Sequence, residues 1–265
     1  MWSGATTVVV MEWQRYWDII VYRTYAELKA EAQLSYMGYV WWVLEPLLNT
    51  LLFYVLLVAV LEQSTVGAIS FLVVGAITWQ WFSASLMSAS NSVVDAGGML
   101  RHIYLPKLVL PLISIMTSGW KFLFLFALLL LSVWFTGHPP ALVYAALPLL
   151  LALEFILIIA FTLPLALIMP YVPDARVTVD ALLRSAMLVS GIFFPVEKLP
   201  SAFRGYFHLN PMADLIEGYR DVLLYNQWPR WDLLGYVALL GLLSLAFTAW
   251  LHRRVDRSMV KAIHR

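Results

Sequence analysis

Glu45, Lys121, Glu154 and Arg184 each interrupt a run of roughly 20 apolar residues. A charge at the centre of a membrane helix costs about 2.5–3.5 kcal/mol on the insertion scale, so each is expected to face protein or water. Their number fits one or two acid–base pairs better than the acidic or His relay of an ion-coupled carrier. In a channel, Arg184 would attract an anionic polymer or a lipid phosphate. The favoured reading gives it an internal partner such as Asp180 or Glu154. Glu45 lies one turn into its run, before Pro46, within reach of the interface. Asp214, Glu217 and Asp221 recur at i, i+3 and i+7, which places them on one helical face. Paired carboxylates can do acid–base work. The favoured reading is a solvated helix face made by Glu217, Arg220 and Asp221.

Other chemistries lack their residues. The His at 102, 138, 208, 252 and 264 are scattered over different loops and both sides of the expected membrane, so no metal cluster is expected. The absence of Cys excludes disulfides, Cys-ligated zinc, iron–sulfur clusters and Cys nucleophiles. No G-x-x-x-x-G-K-[ST] phosphate loop, H-E-x-x-H or G-x-S-x-G occurs. The expectation is a chain without catalytic residues, metal or cofactor of its own, whose driving force would come from an ion gradient or a partner ATPase.

The elements that must carry these residues follow from composition. The 265 residues are 62% hydrophobic and 12% charged, with a mean hydropathy of +0.80. A soluble domain is roughly half apolar and a quarter charged, so a soluble fold is excluded in favour of an all-α integral membrane protein. A net charge of +1 argues against a nucleic-acid partner. Six runs are long enough to read as spans: 41–61, 69–91, 108–135, 141–169, 178–195 and 233–251. The first ten residues lack a basic region before an apolar core, so the chain is expected to insert as made. Eleven Lys and Arg fall on the side of the termini and four on the other, all four within the long fifth connection. Both termini are therefore expected in the cytoplasm.

Two connections are unusual. Residues 12–37 lack Pro until Pro46 and Gly until Gly38, and Trp13, Tyr16, Trp17, Ile20 and Thr24 recur at helical spacing. This predicts a helix lying in the membrane interface, against the competing reading of a plain linker. Residues 196–230 are too polar to span, yet carry Phe203, Tyr206, Phe207, Leu215, Ile216 and Tyr219. Asn210-Pro211 divides them into two short amphipathic pieces, which predicts a periplasmic re-entrant hairpin.

Several motifs resemble a known family. Gly38-Tyr39-Val40-Trp41-Trp42-Val43-Leu44-Glu45-Pro46 resembles the G-Y-x-W-x-x-x-x-P signature opening the first span of ABC-2 type polysaccharide export permeases. Leu100-Arg101-His102-Ile103-Tyr104-Leu105-Pro106-Lys107 resembles that family's cytoplasmic segment after span two. Phe194-Pro195 with Leu199-Pro200 resembles the break after span five. Leu209-Asn210-Pro211-Met212 followed by Ile216-Glu217-Gly218-Tyr219-Arg220-Asp221 is similar to its L-N-P…E-x-x-R segment. Leu44-Glu45-Pro46 and Val172-Pro173-Asp174 look more like the capsular polysaccharide permeases. O-antigen permeases more often show Gln before that Pro and an Arg-Asp pair before span five, whereas here Asp174 precedes Ala175-Arg176.

The resemblance implies a six-span ABC-2 subunit in a homodimer, docked to separate cytoplasmic ATPases that bind ATP and Mg. The substrate would be lipid-linked capsular polysaccharide crossing the bacterial inner membrane between the subunits, passed on to a periplasmic or outer-membrane partner. Other substrates of the same architecture are O-antigen or teichoic-acid type glycans, drugs or lipids. An integral-membrane sugar transferase is the rival from another class. The implied coupling element is the 92–107 loop, read as a turn at Asp95-Ala96-Gly97-Gly98 and a short helix stopped before Pro106. Its apolar knobs are Met99, Leu100, Ile103 and Tyr104, with Arg101 outside; a connector resting on lipid headgroups competes with this reading. A glycan offers C–H faces to aromatic rings. Tyr39, Trp41, Trp42, Phe193 and Phe194 are therefore channel candidates, with Arg184 as a charged one, against an interfacial aromatic belt.

Overall fold

The structure is a computed structural model that describes residues 3–33, 36–55, 67–97, 108–135, 137–172, 174–198 and 200–255. Among the described residues every regular element is a helix. Ser3–Gln33 forms α1, longer at its start than the sequence predicts, because nothing after Gly4 interrupts it. The chain then turns at Gly38, whose φ is +51°. A Cβ there would lie 3.1 Å from the Ala32 carbonyl oxygen, so only glycine makes this turn without strain. A 3-10 turn, Gly38–Val40, leads into α2, Trp41–Val55.

Ala68–Asp95 forms α3, and Val109–Phe135 forms α4 with Pro111 in its first turn, where a missing N–H costs little. Leu147–Ile168 forms α5, entered and left through 3-10 turns at Leu142–Ala146 and Met169–Tyr171. Ala175–Leu188 forms α6, Ser201–Phe207 α7, Pro211–Leu223 α8 and Trp231–Val255 α9. Four helical stretches are long and apolar enough to cross a bilayer: Ile69–Asp95, Val109–Phe135, Leu142–Tyr171 and Trp231–Trp250. They coincide with the second, third, fourth and sixth expected spans. The first expected span is described only to Val55. The fifth starts earlier than expected and ends at Leu188, where the chain turns at Val189–Gly191 before Phe194-Pro195. Its 14 residues give a helix of about 21 Å, short of the ~30 Å hydrocarbon core.

Packing centres on α3, which contacts α2, α4, α5, α6 and α8, while α9 lies against α5. Inside a bilayer apolar burial alone drives little association, so close packing of small residues matters. Accordingly Gly75, Ser85, Ala89 and Ser90 of α3 are all buried. One face of α1 lies along α4, with Ile20 packed on Val109 and Ile113 beside Tyr16 and Met116. Trp17, Tyr22 and Tyr25 point away from that contact.

The connection between α6 and α9 departs most from expectation. The break at Asn210-Pro211 is a helix start: Asn210 Oδ1 accepts from the Met212 N–H at 3.1 Å, and Pro211 occupies the first helical position. The helix that follows is a core element and not a solvated face. Leu215, Ile216 and Tyr219 are fully buried, and so are Asp214 and Arg220. The reason is that both charged groups have partners inside the fold, described below.

Candidate functional site

The stripe Ile20, Thr24, Glu27, Glu31 has spacings of four, three and four, so the face of α1 that packs on α4 ends in two carboxylates. The Gly38 turn folds α2 back so that Trp42 meets Glu31: its indole N–H donates to Oε1 at 3.2 Å. Lys121 of α4 ion-pairs with the other oxygen of Glu31, and its ammonium lies 5.5 Å from the centre of the Trp42 ring. Thr117, one turn earlier on α4, donates to Glu27 Oε2 at 3.2 Å. The ring of Tyr39 meets Trp42 edge to face at 4.8 Å.

Glu27, Glu31, Trp42, Thr117 and Lys121 wall a cavity of about 560 Å³ between α1, α2, α3 and α4. Glu45 and Lys121 line it together with Gln80, Ser88, Ser118 and Trp81. Trp81 stacks on Phe122 at 4.1 Å, and its indole N–H is buried without a hydrogen-bond partner. A smaller cavity of about 390 Å³ shares Glu27 and Ser88 as walls and continues along α3 to Asp95. Asp95 ends α3 and pairs with Arg176 of α6 at 3.8 Å. It is the last turn of a helix, where the sequence suggested a turn.

A second constellation buttresses α8. The Arg220 guanidinium donates to the carbonyls of Gly191 at 2.7 Å, Ile192 at 3.0 Å and Phe71 at 3.1 Å, and lies over the Phe71 ring at 3.4 Å. Gly75 makes room for it: a Cβ there would lie 2.6 Å from Nη2. Tyr219 donates to the fully buried Glu154 at 2.9 Å, tying α8 to α5. His208 Nδ1 and Asp214 Oδ1 share a hydrogen bond of 2.6 Å. Burial pushes the Asp214 carboxyl above its ordinary pKa, an effect that the hydrogen bond and charge of His208 partly offset. Nothing in the sequence points to a His beside carboxylates here, yet His208, Asp214 and Glu217 bring ligand atoms within 4.8 Å of one another. The helix break gathers them, which linear spacing does not reveal.

Of the residues singled out from sequence, Trp42, Glu45 and Lys121 share the cavity. Tyr39 and Trp41 are about half exposed beside it. Phe193 packs on Phe53 at 4.7 Å and Phe194 on Phe207 at 6.2 Å. Phe53 is about 16 Å further along α2 than Trp42, so the aromatics form two groups and not one. Arg184 pairs with Asp180 of its own helix, while Glu154 bonds Tyr219. Met99, Leu100, Arg101, Ile103 and Tyr104 lie outside the described residues. Glu27, Glu31 and Trp81 were not singled out; the α1 stripe carried the signal for the first two.

Described residues that are helical throughout their regular elements, with four membrane-length helices and a cavity among them that carries charged side chains, have the make-up of a multi-pass membrane permease. Residues 13–224 match the ABC-2 type transporter family, and the chain belongs to that family. It is 26% identical to the O-antigen export system permease protein RfbA of Myxococcus xanthus, over 83% of this chain and 86% of that one. It is 24% identical to the protein of the same name from Klebsiella pneumoniae, over 78% and 80%. It is 25% identical to the polysialic acid transport protein KpsM of Escherichia coli, over 84% and 88%.

Proposed function

We propose that this chain is the membrane subunit of an ATP-driven exporter moving lipid-linked polysaccharide outward across the bacterial inner membrane. The observation that carries this reading is the continuous match of residues 13–224 to the ABC-2 type transporter family, with O-antigen and polysialic acid transport proteins among the relatives. The subunit works as a homodimer with the glycan path between its copies. Separate ATPases bind ATP and Mg and dock on 99–104, through Met99, Leu100, Ile103 and Tyr104. Both termini are cytoplasmic, α2 and α6 belong to the first and fifth spans, and 196–230 is the periplasmic hairpin. A capsular substrate is supported by Leu44-Glu45-Pro46 and Val172-Pro173-Asp174. An O-antigen substrate is the second reading, supported by the RfbA relatives. The transferase reading loses support because the carboxylates it needs sit on α8, where Asp214 is buried and held by His208.

Removal of the chain tests the proposal. Surface glycan should disappear while lipid-linked glycan accumulates inside the cell, and restoring the chain should reverse both. The glycan that accumulates separates capsule from O-antigen. Unchanged surface glycan would overturn the proposal.

A further inference from the structure

We infer that Asp95 and Arg176 form a latch between α3 and α6, and that the start of α6 must swing away from α3 for glycan to pass. The inference rests on the exporter reading and adds two positioning residues to it. The two ends of α6 are held differently. Past its C-terminal end, the Arg220 guanidinium grips the carbonyls of Gly191 and Ile192 and ties them to the Phe71 carbonyl of α3. That grip is buried, and breaking it would strand polar groups. At its start, α6 is held by the pair of Arg176 and Asp95 at 3.8 Å, with both side chains mostly exposed. An exposed ion pair contributes little and opens at little cost. One end is therefore fixed and the other releasable.

The placement of the two charges ties their contribution to the closed contact. Asp95 is the last residue of α3 and Arg176 the second of α6. A helix favours anions at its N-terminal end and cations at its C-terminal end, so each charge stands at the unfavourable end of its own helix. Each gains only from the other helix: Asp95 from the start of α6, Arg176 from the end of α3. The gain is present while the helices meet and absent when they part, which is what a two-state element requires. Little else holds this end. Only Val179 and Leu183 of α6 are buried, and its main helix contact is α3. Few buried contacts mark the parts of a fold that open first. The turn at Val189–Gly191 supplies the pivot, with Gly191 at a φ of +71°, since residues at the end of an element absorb such rotations. Asp95 precedes Met99, the first of the residues proposed to receive the ATPase, by four residues. Movement of that segment would act first on the latched end.

Bridging the two positions in the reconstituted exporter tests the latch. The chain has no Cys, so the double variant Asp95→Cys, Arg176→Cys gives it one pair of thiols. The variant is placed in liposomes with its partner ATPase and tagged lipid-linked glycan. Its thiols are joined by a short reducible linker, and peptide mass confirms that the bridge lies within one chain. The expected result is ATP-dependent glycan movement before bridging, a severalfold loss after it with ATPase binding unchanged, and recovery on reduction. A bridge between Ser88→Cys and Ser92→Cys, both on α3, should cost nothing. With the ion pair left intact, Val179→Cys on the buried face of α6 should react severalfold faster with a water-soluble thiol reagent once ATP is added. Undiminished movement in the bridged chain, equal losses from the two bridges, a double variant that is inserted and ATPase-bound yet inactive before bridging, or unchanged labelling at 179 would overturn the latch. If the unaltered chain moves no glycan with ATP, the exporter reading itself fails, and the latch with it.

Discussion

Trp42 and Glu31 are joined by a hydrogen bond of 3.2 Å across the turn at Gly38, and the same carboxylate holds Lys121. One side chain of α1 therefore fastens both the start of α2 and the middle of α4. A helix expected only to rest at the interface is tied by charge to the membrane helices. Motion of α1 relative to α4 would have to break this contact or carry Trp42 with it.

Lys121→Met removes the cation from that contact. Lys121 and Glu31 are both partly exposed, so the loss should be modest, about 1 kcal/mol. Hydrogen exchange should quicken in residues 20–31 and stay unchanged in α5 and α9. Unchanged exchange in 20–31 would show that Ile20 and its apolar neighbours alone hold α1.

Arg220→Ala should be far more damaging. It strands the buried carbonyls of Gly191, Ile192 and Phe71, at a cost of about 3–5 kcal/mol. Arg220→Lys should not rescue it, because an ammonium cannot reproduce the planar fork. Gly75→Ala should act in the same direction by pressing on Nη2. Thermal unfolding of the purified chain in detergent reads all three; wild-type stability in Arg220→Ala would refute the buttress.

Asp214 gives a pH signature. Its folded pKa lies above its unfolded one because burial disfavours the charged form, with His208 and Arg230 opposing and Asp232 reinforcing the shift. A raised pKa contributes stability that is present below the unfolded value and is lost as pH rises through the folded one. The advantage of wild type over Asp214→Asn should therefore shrink as pH rises across that window. A constant difference in unfolding temperature would contradict the shift.

Trp41 and Trp42 should respond unequally. Successive helical residues point about 100° apart, and only Trp42 lines the cavity and binds Glu31. Trp42→Ala should cut surface glycan per molecule severalfold, and Trp41→Ala should leave it nearly intact. A belt role predicts lower abundance for both with export per molecule unchanged.

What the sequence revealed depended on how local the cause was. The expected span 108–135 and the observed Val109–Phe135 nearly coincide, because an apolar run with a single Lys carries its own limits. The break at Asn210-Pro211 was equally local, since cap and proline act within two residues. The helix Ala175–Leu188 ends before the expected limit at 195: apolar residues continue past Leu188, although the backbone turns at Val189–Gly191. The burial of Arg220 was invisible for a different reason: its acceptor Phe71 lies 149 residues away. Charges on a short helix look solvated until the fold supplies such partners. The Glu31–Lys121 pair, 90 residues apart, was hidden likewise, although the need of Lys121 for a partner was legible.

Transport by the purified chain tests the central claim most directly. The chain is reconstituted in liposomes with its partner ATPase and fluorescently tagged lipid-linked glycan, and glycan movement between leaflets is followed on addition of ATP. The account predicts ATP-dependent movement that needs this chain and is abolished by the double change Ile103→Asp and Tyr104→Asp, with the chain still inserted. Equal movement with and without ATP, or none in the complete system, would contradict it.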